Sequence, residues 1–262
     1  MGSHSHAHVS GEFLYSPGET RVHRCPAHVK LLAALATLIV IVATPGRAVW
    51  AFAVYFALVL VILGLARLSV RLVLPRLAVE LPFLVFAVLL PFLGTDPRIQ
   101  MGPVSLSEPG LWAAWTLAAK ATLGVLIAIA LSATTSTTEL LDAMRRLRVP
   151  DLFVQILTAM VRYIHVVGQE SSRMSRARAA RGFSAKGVRS WPVLGLALGT
   201  LFIRSYERGE RVHCAMLSRG YSGQPPRLRE VMPVSIGAWV AAAALPASAL
   251  SVLAVAVHGP AT

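Results

Sequence analysis

The sequence predicts an all-α, polytopic membrane protein with about five transmembrane helices and a cytoplasmic domain of long helices. Three observations carry this. Mean hydropathy is +0.64, and charged residues make up 14% of the 262, against roughly 25% in soluble domains. Several apolar runs approach or exceed the ~20 residues that cross a hydrocarbon core. The net charge of +13 is concentrated in one stretch, as when Lys and Arg are retained on the cytoplasmic side.

The elements follow in order. Residues 1–27 read as a polar tail, with His4, His6 and His8 in a pattern only weakly suited to metal capture; no metal site is predicted. Apolar runs at 28–44 and 48–66, separated by Pro45-Gly46-Arg47, read as two spans joined by a tight turn. Residues 77–94 and 111–131 read as the third and fourth spans, so transmembrane helices occupy 28–133. Between these two lies 95–110, which holds Asp96, Arg98 and Glu108 and is nearly neutral. Arg21, Arg24 and Lys30 precede the first span, and Arg67, Arg71 and Arg76 join the second to the third. That asymmetry puts the N-terminus in the cytoplasm and 95–110 outside. Glu80, near the start of the third span, is expected at the membrane interface, with pairing inside the bundle as the alternative. Lys120, inside the fourth span, is costly in hydrocarbon; it is expected to contact either a partner or the bundle itself. A last span covers 231–258.

Residues 134–230 form the expected cytoplasmic domain. From Glu139 to Glu230 there are sixteen Arg and Lys against seven Asp and Glu, +9 of the total +13. Ser136-x-x-Glu139 has capping-box spacing, and Pro150 ends that helix and suits the start of the next. Gln155, Thr158, Arg162, His165, Gln169, Arg173 and Arg176 recur at helical period and predict one long helix over 151–182. The short apolar run 191–203 is expected to be interfacial or packed on the bundle, followed by a separate arginine-rich helix over 204–223.

Both arginine-rich helices close alike: Ala180-Arg181-Gly182 before Phe183, and Ser218-Arg219-Gly220 before Tyr221. Glycine suits a helix end because it accepts the left-handed conformation, and arginine just before it gains from the helix dipole. Two capped ends with solvated charges would need nothing more; two matched copies in one basic region raise the prospect of a paired docking device.

The stretches "TTSTTELLDAMRRLRVP", "MVRYIHVVGQESSRMSRARAARGF" and "RSYERGERVHCAMLSRGY" resemble the transmembrane T components of energy-coupling factor (ECF) transporters, most of all the cobalt-type CbiQ branch. The resemblance implies a bacterial inner-membrane subunit that docks two cytoplasmic ATP-binding subunits. It implies that Arg181 and Arg219 are the docking residues, with Ala180, Gly182, Ser218 and Gly220 as close-approach neighbours. It also implies a separate substrate-binding membrane S component, with cobalt or nickel as cargo. Ser218 departs from the alanine more usual there. No G-x-x-x-x-G-K-[ST] occurs, so no phosphate-binding loop is present. No catalytic residue, cofactor or nucleic-acid partner is expected. The rival readings are an independent channel or carrier, and a scaffold whose basic domain binds anionic lipid.

Overall fold

The computed structural model describes residues 18, 20–94, 97–101, 104–184, 187, 190–223 and 236–258. It is all-α apart from one pair of short strands. The element order is α1 (Arg21–Arg24), α2 (Ala27–Ala43), α3 (Val49–Leu65), α4 (Val70–Leu77), a 3₁₀ turn (Ala78–Glu80), α5 (Leu81–Leu93), β1 (Arg98–Met101), β2 (Val104–Ser107), α6 (Glu108–Thr134), α7 (Thr137–Arg146), α8 (Asp151–Ala180), α9 (Trp191–Leu217) and α10 (Ile236–His258). Among the described residues four helical stretches are long and apolar enough to cross a membrane, namely Val73–Leu93, α6, α8 and α10. The apolar helices α2 and α3 have seventeen residues each, the lower limit for a span. This is a multi-pass membrane protein.

The described residues fall into two compact units: one holds those of 148–223, the other those of 18–147 with 236–258. The second unit is a bundle whose core joins α2, α3, α6 and α10 through Ile41, Phe52, Tyr55, Leu123, Ile127 and Ala249. The buried Tyr55 hydroxyl lies 3.0 Å from that of Thr44 and donates to the Ala249 carbonyl, so its polar end is satisfied inside an apolar core. Lys30 donates to the Thr134 carbonyl at 2.7 Å and thereby places a cation at the carbonyl end of α6, where the dipole favours it.

Close backbone approach fastens α5 to α6. A Cβ on Gly110 would lie 2.6 Å from the Leu90 carbonyl oxygen and 2.9 Å from Pro91 Cα, so only glycine lets these helices meet there. At the other end of the pair, the Thr122 hydroxyl donates to Glu80.

Several expectations are corrected. Glu80 takes the internally paired alternative: it is 2% exposed, and Thr122 supplies its hydrogen bond inside the bundle. Residues 98–101 and 104–107 pair as antiparallel strands, with Ile99 opposite Leu106. The fourth span begins earlier than expected: the Ser107 side chain accepts from Gly110 N–H at 3.2 Å, with Glu108 and Pro109 in the first turn, an N-terminal signature. The short helix α1 lies within the stretch read as a tail. Residues 191–203 and the arginine-rich stretch after them are one continuous helix, α9, and none of its residues is buried. The change of composition at Arg204 alters what surrounds the helix without breaking its backbone, since no proline follows Pro192 before the helix ends.

Replacing Gly110 by Ala forces α5 and α6 apart and should cost about 1–3 kcal/mol. Gly124→Ala, where a Cβ meets only Leu38 at 3.8 Å, is the matched control. Thermal melts of the two detergent-purified variants should separate them, with Gly110→Ala the lower.

Candidate functional site

The site is built on α8, α9 and the turns that close them. Helix α7 leads in. Its Ser136 hydroxyl accepts from Glu139 N–H at 3.3 Å, and Glu139 accepts from Ser136 N–H at 3.2 Å. Each side chain thus satisfies an otherwise orphaned donor. Arg148 then takes the left-handed conformation, at φ 59°, ahead of α8.

The two arginine-glycine ends superpose bond for bond. At α8, Arg181 N–H donates to Arg178, Gly182 N–H to Ala179, and Phe183 N–H reaches back to Arg178 at 3.1 Å. At α9, Arg219 N–H donates to Met216, Gly220 N–H to Leu217, and Tyr221 N–H to Met216 at 3.0 Å. The long return bond from the aromatic residue is the Schellman closure. It requires the glycine to be left-handed, and φ is +77° at Gly182 and +82° at Gly220. Any other L-residue there would be strained by roughly 1–2 kcal/mol. Each arginine thereby occupies the last position before the chain turns away.

Ala180, Arg181, Gly182, Ser218, Arg219 and Gly220 are all exposed, and a Cβ on either glycine would meet nothing within 4 Å. Ser218 turns its hydroxyl back to the Ala215 carbonyl at 3.0 Å. Among the described residues neither Arg181 nor Arg219 has an ion-pair partner. Two guanidinium forks thus stand free at small-residue helix ends, suited to bidentate pairing with carboxylates.

Two polar clasps relate α8 to α9. Tyr221 donates its hydroxyl proton to Gln155, whose amide donates to the Gly223 carbonyl at 3.0 Å. Farther along, Arg204 pairs with Glu170, and Arg173 lies 3.9 Å from the same carboxylate. Residue 155 faces 221 and residue 170 faces 204, so the helices run antiparallel. The arginine-glycine ends therefore lie at opposite ends of the pair. Arg181 is 26 residues beyond Gln155, about 40 Å at 1.5 Å per residue. The sequence reading missed both clasps; Gln155 stands on the predicted polar stripe, but nothing local identifies its partner.

Elsewhere, Lys120 donates to the Val42 carbonyl at 2.7 Å, a contact within the bundle. Among the described residues no group of three or more His, Cys, Asp or Glu is placed to hold a metal. His4, His6 and His8 lie outside the described residues. Burial pushes the Cys25 thiol above its usual range, opposed by the Lys30 charge.

A family model described as CbiQ, cobalt transport protein, matches residues 18–230, which include both arginine-glycine ends. The chain belongs to the CbiQ family. Among relatives, it is 34% identical over 122 residues to an uncharacterised protein of Methanocaldococcus jannaschii, covering 46% of this chain and 42% of that one. It is 27% identical over 128 residues to the cobalt transport protein CbiQ of Rhodobacter capsulatus, covering 48% and 52%. It is 30% identical over 93 residues to a putative fused cobalt transport protein CbiMQ of Methanocorpusculum labreanum, covering 36% and 16%. The chain thus spans about half or less of the length of these curated relatives.

Spin labels at positions 181 and 219 should report a single distance of roughly 40 Å by pulsed electron resonance. Releasing both clasps with Gln155→Ala and Glu170→Ala should broaden that distribution while leaving the helical content of the protein unchanged.

Proposed function

We propose that this protein is the membrane-embedded coupling subunit of an ECF-type importer. It docks two cytoplasmic ATP-binding subunits through Arg181 and Arg219 and passes their motion to a separate substrate-binding membrane subunit. The observation that carries this reading is the pair of matched arginine ends, without an ion-pair partner among the described residues, about 40 Å apart on one antiparallel helix pair. One groove on one subunit cannot take both ends; two subunits can each take one. Hydrogen bonds to charged groups contribute about 1.5–3 kcal/mol net, so each end is a firm but reversible grip.

The chemistry stays with the partners. ATP hydrolysis there changes the spacing of the two subunits, and the gripped ends must follow. Because α8 and α9 are each a single unbroken helix, displacement at an end tilts the whole helix. Apolar side chains on those helices receive the motion. Phe153, Ile156, Met160 and Ile164 recur at helical spacing on α8 and are exposed, as are Leu198, Phe202 and Tyr206 on α9. Exposed apolar side chains in such number mark a partner or membrane contact, and here they would carry the substrate-binding subunit. A relative whose name describes a fused CbiMQ protein agrees with work done against a membrane neighbour.

In this reading residues 134–230 form the coupling region on the cytoplasmic side, residues 28–133 and 231–258 hold the spans, and the N-terminus is cytoplasmic in a bacterial inner membrane. Helix α8 has the length to cross, but inserting Arg173, Arg176 and Arg178 would cost roughly 8–10 kcal/mol, so its C-terminal half lies outside the hydrocarbon. The cargo is cobalt or nickel, a reading supported by the family's description.

Mild-detergent purification from native membranes tests the docking. ATP-binding subunits should accompany the wild-type chain. Arg181→Glu or Arg219→Glu should each weaken retention roughly 10- to 100-fold, and the double variant should retain none. Full retention by a folded double variant would leave a lipid-binding scaffold as the better account.

A further inference from the structure

The bundle carries a second cationic feature that the coupling role does not use. The turn joining α2 to α3 is sunk below the α5–α6 tips. A Cβ on Gly46 would fall 2.1 Å from Thr116 Oγ1, so the turn lies against the ninth residue of α6. The start of α6 therefore stands about 12 Å beyond this turn along the helix axis. The seventeen-residue lengths of α2 and α3, against twenty-seven for α6, produce the step.

On this shelf opens a cavity of about 820 Å³ lined by Arg47 and Lys120, with apolar walls that include Phe83, Trp112 and Leu117. The Lys120 ammonium spends one N–H on the Val42 carbonyl, which leaves two. Arg47 is exposed, and among the described residues no carboxylate pairs with either cation. Two uncompensated positive charges above an apolar wall, inside a membrane bundle, need an amphiphilic anion. A free inorganic anion would match the charges but leave the walls wet.

We propose that this shelf binds an anionic phospholipid. The phosphate sits between Arg47 and Lys120, and an acyl chain runs down past Phe83 and Leu117. Helices too short to reach the level of the α5–α6 tips would draw a head group down to the depth of Lys120, and the lipid would neutralise the lysine there. Trp112 at the rim has the amphipathic ring that settles at head-group level.

Trp112 also supplies the readout. A variant with Trp50, Trp115, Trp191 and Trp239 changed to Phe is placed in nanodiscs of phosphatidylcholine, with an equal mole fraction of brominated phosphatidylglycerol or brominated phosphatidylcholine. We expect Trp112 to be quenched selectively by the brominated phosphatidylglycerol. An anionic lipid gains about 1 kcal/mol per basic residue near the surface, so the preference should be roughly fivefold per cation. Arg47→Gln with Lys120→Met should abolish it. Equal quenching by both lipids, or a preference that survives the double variant, overturns the proposal. Native mass spectrometry of the chain with all its tryptophans, counting retained phosphatidylglycerol against phosphatidylcholine, reads the same preference. Arg47→Gln alone, on an exposed turn, carries the comparison if the double variant does not fold.

Discussion

The geometry of the α8–α9 pair hangs on Gln155. Among the described residues Val154 is the one fully buried residue of α8, and α9 has none, so directed polar bonds carry much of the register between them. A side-chain amide that takes the Tyr221 proton and gives one to the Gly223 carbonyl ties the end of α9 to the start of α8. The Glu170–Arg204 pair fixes the second point. Arg204 is more than half exposed, and ion pairs in water are worth at most about 1 kcal/mol. The pair therefore sets alignment more than it adds stability. A helix pair fastened at two polar points, with few fully buried side chains, can change its angle at little cost to a core, which is the property a lever requires.

The bundle is fastened by the opposite means. In hydrocarbon there is no hydrophobic drive between helices, so contact comes from close packing around small residues. Gly110 against the Leu90 carbonyl and Gly46 against Thr116 are such contacts, and Tyr55 and Glu80 have their polar atoms satisfied inside the bundle. The result is one unit held by shape and one held by a few directed bonds.

What could be read from the sequence divides along the same line. The capping box at Ser136, the period of α8 and the left-handed glycines at 182 and 220 are decided within about five residues of chain, so pattern alone exposes them. The burial of Glu80 depends on Thr122, and the role of Gln155 on Tyr221; these partners are distant in the chain and invisible in a single sequence. The pairing of 98–101 with 104–107 leaves only a faint trace in the sequence, because four residues a strand give Ile99 and Leu106 too short an alternation to stand out. Continuity of α9 was missed because hydropathy reports the surroundings of a helix, whereas its persistence depends on backbone propensity and the absence of an internal breaker.

The claim at the centre is that the two arginine ends grip two separate ATP-binding subunits. Photo-crosslinkers placed singly at positions 181 and 219, in the complex purified from native membranes, test it most directly. The account predicts that each position links to an ATP-binding subunit, and that a chain carrying both links to two of them at once. Crosslinks to lipid alone, or both positions captured by a single copy, would contradict it.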